Sequence, residues 1–135
     1  MMKNTDQKHI LVVNDTPEIL DMFRALLGEE GFKVSLDRFT VEMAEMLSKV
    51  KNVKPDLIIL DYIIGREESG WQFLQLLKMD RETRRIPVVV CTGAARQVEA
   101  ILAHLDEMGV AVVLKPFDID HLLDILRKSL DGSAE

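Results

Sequence analysis

Leu57-Ile58-Ile59-Leu60-Asp61 (LIILD) sets four aliphatic residues in an unbroken run and follows them at once with a carboxylate. A strand with one wet face alternates apolar and polar positions. A run that is apolar at every position needs cover on both faces, which is the environment of a parallel sheet. The pattern recurs on either side of it. Ile10–Val13 (ILVV) runs into Asn14-Asp15, Val88–Cys91 (VVVC) into Thr92, and Val110–Leu114 (VAVVL) into Lys115-Pro116. Phe32–Leu36 (FKVSL) alternates instead, as an edge strand with one wetter face would.

Helical patterns fill the intervals. Thr16-Pro17-Glu18 offers a capping hydroxyl, a proline at the first helical position and an acid in the first turn. Ile19, Leu20, Phe23, Leu26 and Leu27 then form one stripe, which stops near Gly28–Gly31. Further stripes are Met43/Met46/Leu47/Val50, Phe73/Leu74/Leu77, Val98/Ile101/Leu102/Leu105 and Ile119/Leu122/Leu123/Leu126/Leu130, all expected to pack in the core. Strands and helices that alternate five times imply right-handed crossovers with helices on both faces of the sheet. The expected class is α/β, a flavodoxin-like doubly wound five-stranded parallel sheet in the order 2-1-3-4-5 with five helices. The domain is expected to run from His9 to Leu130, with short polar tails at 1–8 and 131–135, and there is no repeat or linker to suggest a second domain.

Composition narrows the function. The 135 residues carry 17 Lys plus Arg against 23 Asp plus Glu, a net charge of −6. Direct DNA binding needs clustered cations, and this balance argues against it. The single cysteine, Cys91, can form no internal disulfide, which suits a reducing compartment. The polar amino terminus has no signal-peptide core, and no apolar run approaches the ~20 residues of a membrane helix. A cytoplasmic protein with no membrane contact is expected.

The chemistry stands at the strand ends. In a doubly wound sheet these ends share one edge, where ligands bind. Asp15, Asp61, Thr92 and Lys115 are therefore expected in one crevice. Two carboxylates at about 4 Å repel by roughly 4 kcal/mol at an effective dielectric near 20. Lys115 offsets part of that, and Mg²⁺, which takes one or two carboxylates plus waters and phosphate oxygens, would offset the rest. An aspartate can accept a phosphoryl group as an acyl phosphate, and the transferring group needs its oxygen charge stabilised. A metal on Asp15 and Asp61, the Lys115 ammonium and the Thr92 hydroxyl would do this, with Gly93 allowing close backbone approach. By contrast His9, His104 and His121 lack metal-ligand spacing and read as surface residues, Cys91 as a small buried hydrophobe and Trp71 as the rim of the third helix. The lysines at 49, 51 and 54 and the run RETRR ending at Arg85 read as solvated faces.

ILVVND, LIILD, CTGA and LKPF, in this order and spacing, make the stretch from His9 to Leu130 resemble the receiver domain of two-component response regulators, including the chemotaxis receivers. The resemblance implies that Asp61 accepts a phosphoryl group from a histidine kinase or phosphotransfer protein. It also implies that Asp15, Asp61 and the backbone carbonyl of Ile63 bind Mg²⁺, that Thr92 and Lys115 contact the phosphoryl group, and that Lys115–Pro116 is a cis bond. Such a chain is a phosphoacceptor that takes part in its own phosphorylation and dephosphorylation, not an enzyme in the ordinary sense. With no effector domain in the sequence, output is expected through a downstream protein target or as a phosphoryl relay or sink. The face of the fourth helix, fifth strand and fifth helix is expected to move, and is a candidate homodimer surface.

Several positions depart from the family. Asn14 stands where a second acid is usual; it either touches a metal-bound water or only caps a turn, and it predicts weaker Mg²⁺ binding. Val112 stands three before the lysine, where an aromatic residue usually swings, and its β-branched side chain has few rotamers. The loop YIIGREES after Asp61 is one residue longer than is common and has Gly65 where proline is frequent. These changes motivate an alternative, a receiver-like interaction module independent of phosphorylation. A free-standing phosphatase is disfavoured, because Ile63 occupies the position of its general acid and no Gly-rich phosphate loop is present.

Overall fold

Each aliphatic run is a strand in the computed structural model, which describes residues 7–39, 42–61, 69–93, 95–115 and 118–132. The expectations on Ile63, Gly65 and the Lys115–Pro116 bond lie outside the described residues. In chain order the elements are β1 (His9–Val13), α1 (Pro17–Glu29), β2 (Lys33–Asp37), α2 (Met43–Val53), β3 (Leu57–Leu60), α3 (Ser69–Met79), β4 (Val88–Thr92), α4 (Ala95–Glu99), α5 (Leu102–Glu107), β5 (Ala111–Leu114) and α6 (Ile119–Gly132). The strands form one parallel sheet in the order β2-β1-β3-β4-β5. This is the doubly wound, flavodoxin-like order, with β2 at one edge as its alternating sequence requires.

Burial explains the unbroken runs. Leu11 and Val13 of β1 face Met46, Phe73, Leu77 and Leu105, whereas Ile10 and Val12 face Phe23, Leu27, Leu122 and Leu126. Helices α2, α3 and α5 thus cover one face and α1 and α6 the other. Each fully buried aliphatic or aromatic side chain contributes about 1.5–3 kcal/mol of transfer free energy. Alternation on β2 survives as Val34 and Leu36 packing toward α1. Helix α1 ends as its glycines suggest: Gly31 takes φ +92, and the N–H groups of Gly31 and Phe32 bond the carbonyls of Gly28 and Leu27.

Four details differ from expectation. The fourth helical pattern is two short segments, α4 and α5, separated by a tight turn in which the Ile101 N–H bonds the Val98 carbonyl (2.9 Å). No glycine or proline marks this break. Leu102 and Ile119 are 43% and 47% exposed, because each opens its helix and the buried stripe begins a turn later. Thr16 occupies the N-cap position of α1, but its hydroxyl makes no cap bond. The Thr16 carbonyl already takes the Ile19 and Leu20 N–H groups, and the hydroxyl donates to Asp15 Oδ1 instead (3.4 Å). Finally, RETRR is not wholly solvated. Thr83 is buried, its hydroxyl donating to the Leu77 carbonyl (2.7 Å) at the end of α3, and Lys51 is paired with Asp80 (2.9 Å) and Glu82 (3.7 Å).

Candidate functional site

Register sets the site. Val13 of β1 lies opposite Asp37 of β2 and Leu60 of β3, and Thr92 of β4 lies opposite Leu114 of β5. The residues that follow β1, β3 and β5 therefore emerge at the same carboxyl-terminal edge as Thr92, which ends β4. The order reverses between β1 and β3, and that reversal opens the crevice.

Asp61 is at its centre. Its Oδ2 accepts from Asn14 Nδ2 (3.2 Å) and lies 3.6 Å from Lys115 Nζ. The Asp61 side chain is only 13% exposed, so this ion pair is screened less than one on the open surface. Lys115 is fixed from its own backbone, its N–H donating to the Thr92 carbonyl (2.9 Å), which ties the ends of β4 and β5 together. Thr92 is buried at 1% exposure. Cys91, beside it in β4, feels the charges of both Lys115 and Asp61, but burial dominates and pushes its thiol up to about 11. The thiol is therefore neutral at physiological pH, consistent with a packing role.

Asn14 has a larger part than the sequence predicts. Its Oδ1 accepts the Thr16 N–H (2.9 Å), which fixes the amide so that its NH₂ points toward Asp61. It is a turn cap and an Asp61 contact at once. Its own N–H donates to the carbonyl of Asp37 (3.0 Å), whose carboxylate accepts the Phe39 N–H (2.8 Å) and pairs with Lys49 (3.4 Å). Asp37 has no role in the sequence reading. The available signal was its position after FKVSL, a further polar residue at a strand end. Asp15 follows Asn14 on the same edge, half-buried and hydrogen-bonded by Thr16.

The edge thus brings Asn14, Asp61 and Lys115 into contact and sets Asp15 and Thr92 next to them in the chain or the sheet. Asp15 and Asp61 are hard oxygen donors, and Mg²⁺ typically takes one or two carboxylates, so these two could hold it. Among the described residues no three His, Cys, Asp or Glu side chains converge, so no closed site of the zinc type is built there. Trp71 is half-buried with its ring edge-on to His104 (5.9 Å), and His121 is exposed.

A sequence model of the response regulator receiver domain matches residues 10–127. The chain belongs to this family. As a receiver, it is 28% identical over 123 residues to the nitrogen assimilation regulatory protein NtrX of Azorhizobium caulinodans, covering 90% of this chain but only 26% of that protein. It is 26% identical over 124 residues to the polar-differentiation response regulator DivK of Brucella ovis, covering 91% of this chain and 96% of DivK. The receiver therefore spans about a quarter of one relative and nearly all of the other. Among solved structures, the CheY-like receiver domain protein of Methanospirillum hungatei superposes with a TM-score of 0.78 at 26% identity, covering 95% of this chain and 97% of that one. Receivers are signalling domains that work with histidine kinases or phosphotransfer proteins and typically bind Mg²⁺. Among the described residues no helix is long and apolar enough to cross a membrane.

Proposed function

We propose that this receiver takes a phosphoryl group onto the Asp61 carboxylate from a phosphohistidine and signals by altered protein binding. The supporting observation is the placement of Asp61 at the switch point, with the Asn14 amide and the Lys115 ammonium on its Oδ2. In the transfer a carboxylate oxygen bonds to phosphorus as the P–N bond breaks. The imidazole nitrogen leaves with the bonding pair and takes up a proton. Lys115 meets the charge on the transferred oxygens, and the Thr92 hydroxyl supplies a donor from the end of β4. Asp15 and Asp61 would hold Mg²⁺, which when bound neutralises further negative charge at the acceptor. The product adds a charge of about −1.5 to −2 beside a lysine and a buried hydroxyl, and the output is the surface of α4, α5, β5 and α6 that these residues anchor.

Acetyl phosphate with Mg²⁺ tests the reading directly. The intact protein should gain the mass of a single phosphoryl group, and no gain would refute the proposal. In this reading a histidine kinase or phosphotransfer protein acts upstream and a protein target downstream.

Asn14→Asp gives a separate prediction. A carboxylate in place of the amide adds an attractive charge for the cation worth roughly 1 kcal/mol or more at 4 Å, so Mg²⁺ affinity should rise at least about fivefold. Calorimetric titration reads this, and an unchanged affinity would contradict the electrostatic account.

Val112 favours a second reading. It is half-buried against the α2, α3 and α5 side of the core, where a stiff side chain has little room to move. If output does not depend on Asp61, partner affinity should be equal with and without beryllofluoride, whereas the favoured reading requires it to change.

A further inference from the structure

At the opposite edge of the sheet, the segment joining α3 to β4 sorts its charges. Asp80 and Glu82 are drawn toward α2 by Lys51, at 2.9 and 3.7 Å. Lys78, Arg84 and Arg85 fall on the other side, where with Pro87, Met108, Gly109 and Ser129 they line an open cleft of about 360 Å³. Among the described residues the lining contains three cations and no carboxylate, in a chain whose net charge is −6.

Two features set this cleft apart from scattered surface lysines. Lys78 is half-buried and its partners are neutral: Nζ donates to the carbonyls of Arg84 and Ile86, both at 3.2 Å. An ammonium has three N–H donors, and among the described residues only two are used. Burial also holds its pKa below the ordinary lysine value, the sign of a desolvated charge, and no described carboxylate pairs with it. Second, those same bonds tie the lysine to the backbone carrying the arginines. Thr83 anchors that backbone from the inside through the Leu77 carbonyl (2.7 Å). The cations are thus presented from a fixed turn, with Gly109 and Ser129 across from them.

We propose that the cleft between the α3–β4 segment, the turn after α5 and α6 binds a small diphosphate-bearing anion. Two guanidinium groups fit phosphate oxygens bidentately, and the half-buried ammonium gains a counter-charge that no described residue gives it. The volume suits a small ligand and not a polymer. The cleft is separate from the Asp61 edge, so the inference does not depend on that carboxylate's role.

The test titrates the full chain with inorganic pyrophosphate, orthophosphate and a nucleoside diphosphate while following backbone amide signals. Saturable pyrophosphate binding is expected, with shifts centred on Arg84, Arg85, Gly109 and Ser129. Arg84→Gln with Arg85→Gln should weaken it about tenfold or more, since each charge-assisted contact carries a factor of that order. Both arginines are exposed, so folding should survive. Arg24→Gln with Lys33→Gln removes the same charge from other exposed positions and should leave affinity within about twofold, and so should Asp61→Asn. Tighter binding of the nucleoside diphosphate than of pyrophosphate would identify a nucleotide as the source, and equal binding a free polyphosphate. A response that does not saturate, shifts centred on Thr92 and Lys115, or equal weakening by the control pair would overturn the proposal.

Discussion

Asp61→Asn is expected to abolish phosphoryl uptake: after acetyl phosphate and Mg²⁺ the mass spectrum should show the unmodified chain alone. The substitution is nearly isosteric, and its carboxamide oxygen can still accept from Asn14, now 3.2 Å from Oδ2. What is lost is the anionic nucleophile, because a neutral amide does not form a mixed anhydride with phosphate at useful rates. The ion pair with Lys115 is lost too, but the ammonium it leaves behind is 26% exposed and stays hydrated, so the stability change should be modest. An unfolding midpoint close to that of the unsubstituted chain would show that the null result comes from chemistry and not from a collapsed site. A phosphoryl group that still adds to the Asp61→Asn chain would move the acceptor elsewhere, with Asp15 the first residue to examine. Hydroxylamine sensitivity separates an acyl phosphate from a phosphoester on Thr92.

The sheet and its order were legible because parallel strands covered on both faces leave a signal that few other structures share. LIIL is buried at every position, as its composition demands. The strand-end rule likewise puts Asp61 and Lys115 on one edge, where they lie 3.6 Å apart. What the sequence hid were contacts made by polar groups that turn inward. Asn14 looked like a missing acid, but its amide is locked by the Thr16 N–H and donates to Asp61. Thr83 looked solvated within RETRR because a short charged run gives no periodicity from which burial could be read; its hydroxyl caps a carbonyl of α3. The break between α4 and α5 has no composition signal, being made by one tight turn in a run of ordinary helix formers. Phe39 was the least predictable. An aromatic residue seldom takes φ +61, and here a tertiary ring contact with Phe73 and a local bond to Asp37 hold it there.

Those contacts lead to the second large effect, which lies in the core. Phe73→Ala is expected to cost about 3–5 kcal/mol, a major part of the ~5–15 kcal/mol that stabilises a domain of this size. Phe73 is fully buried in α3, and its ring meets that of Phe39 edge-on, with centroids 5.2 Å apart and planes at 86°. Such a pair adds about 0.5–1.5 kcal/mol beyond its buried area. The pair also offsets backbone strain, since a non-glycine residue in the left-handed region costs on the order of 1–3 kcal/mol. The other restraint on Phe39 is its N–H bond to the Asp37 carboxylate, and the Asp37 carbonyl in turn holds Asn14 beside Asp61. The core under α3 is thus linked by short contacts to the candidate acceptor. Urea unfolding should show a lowered midpoint with the slope unchanged. Phe73→Leu, which retains most of the volume, should lose much less. A cost below about 1 kcal/mol for Phe73→Ala would mean that the cavity collapses freely, contrary to close packing around Met46, Leu77 and Phe39.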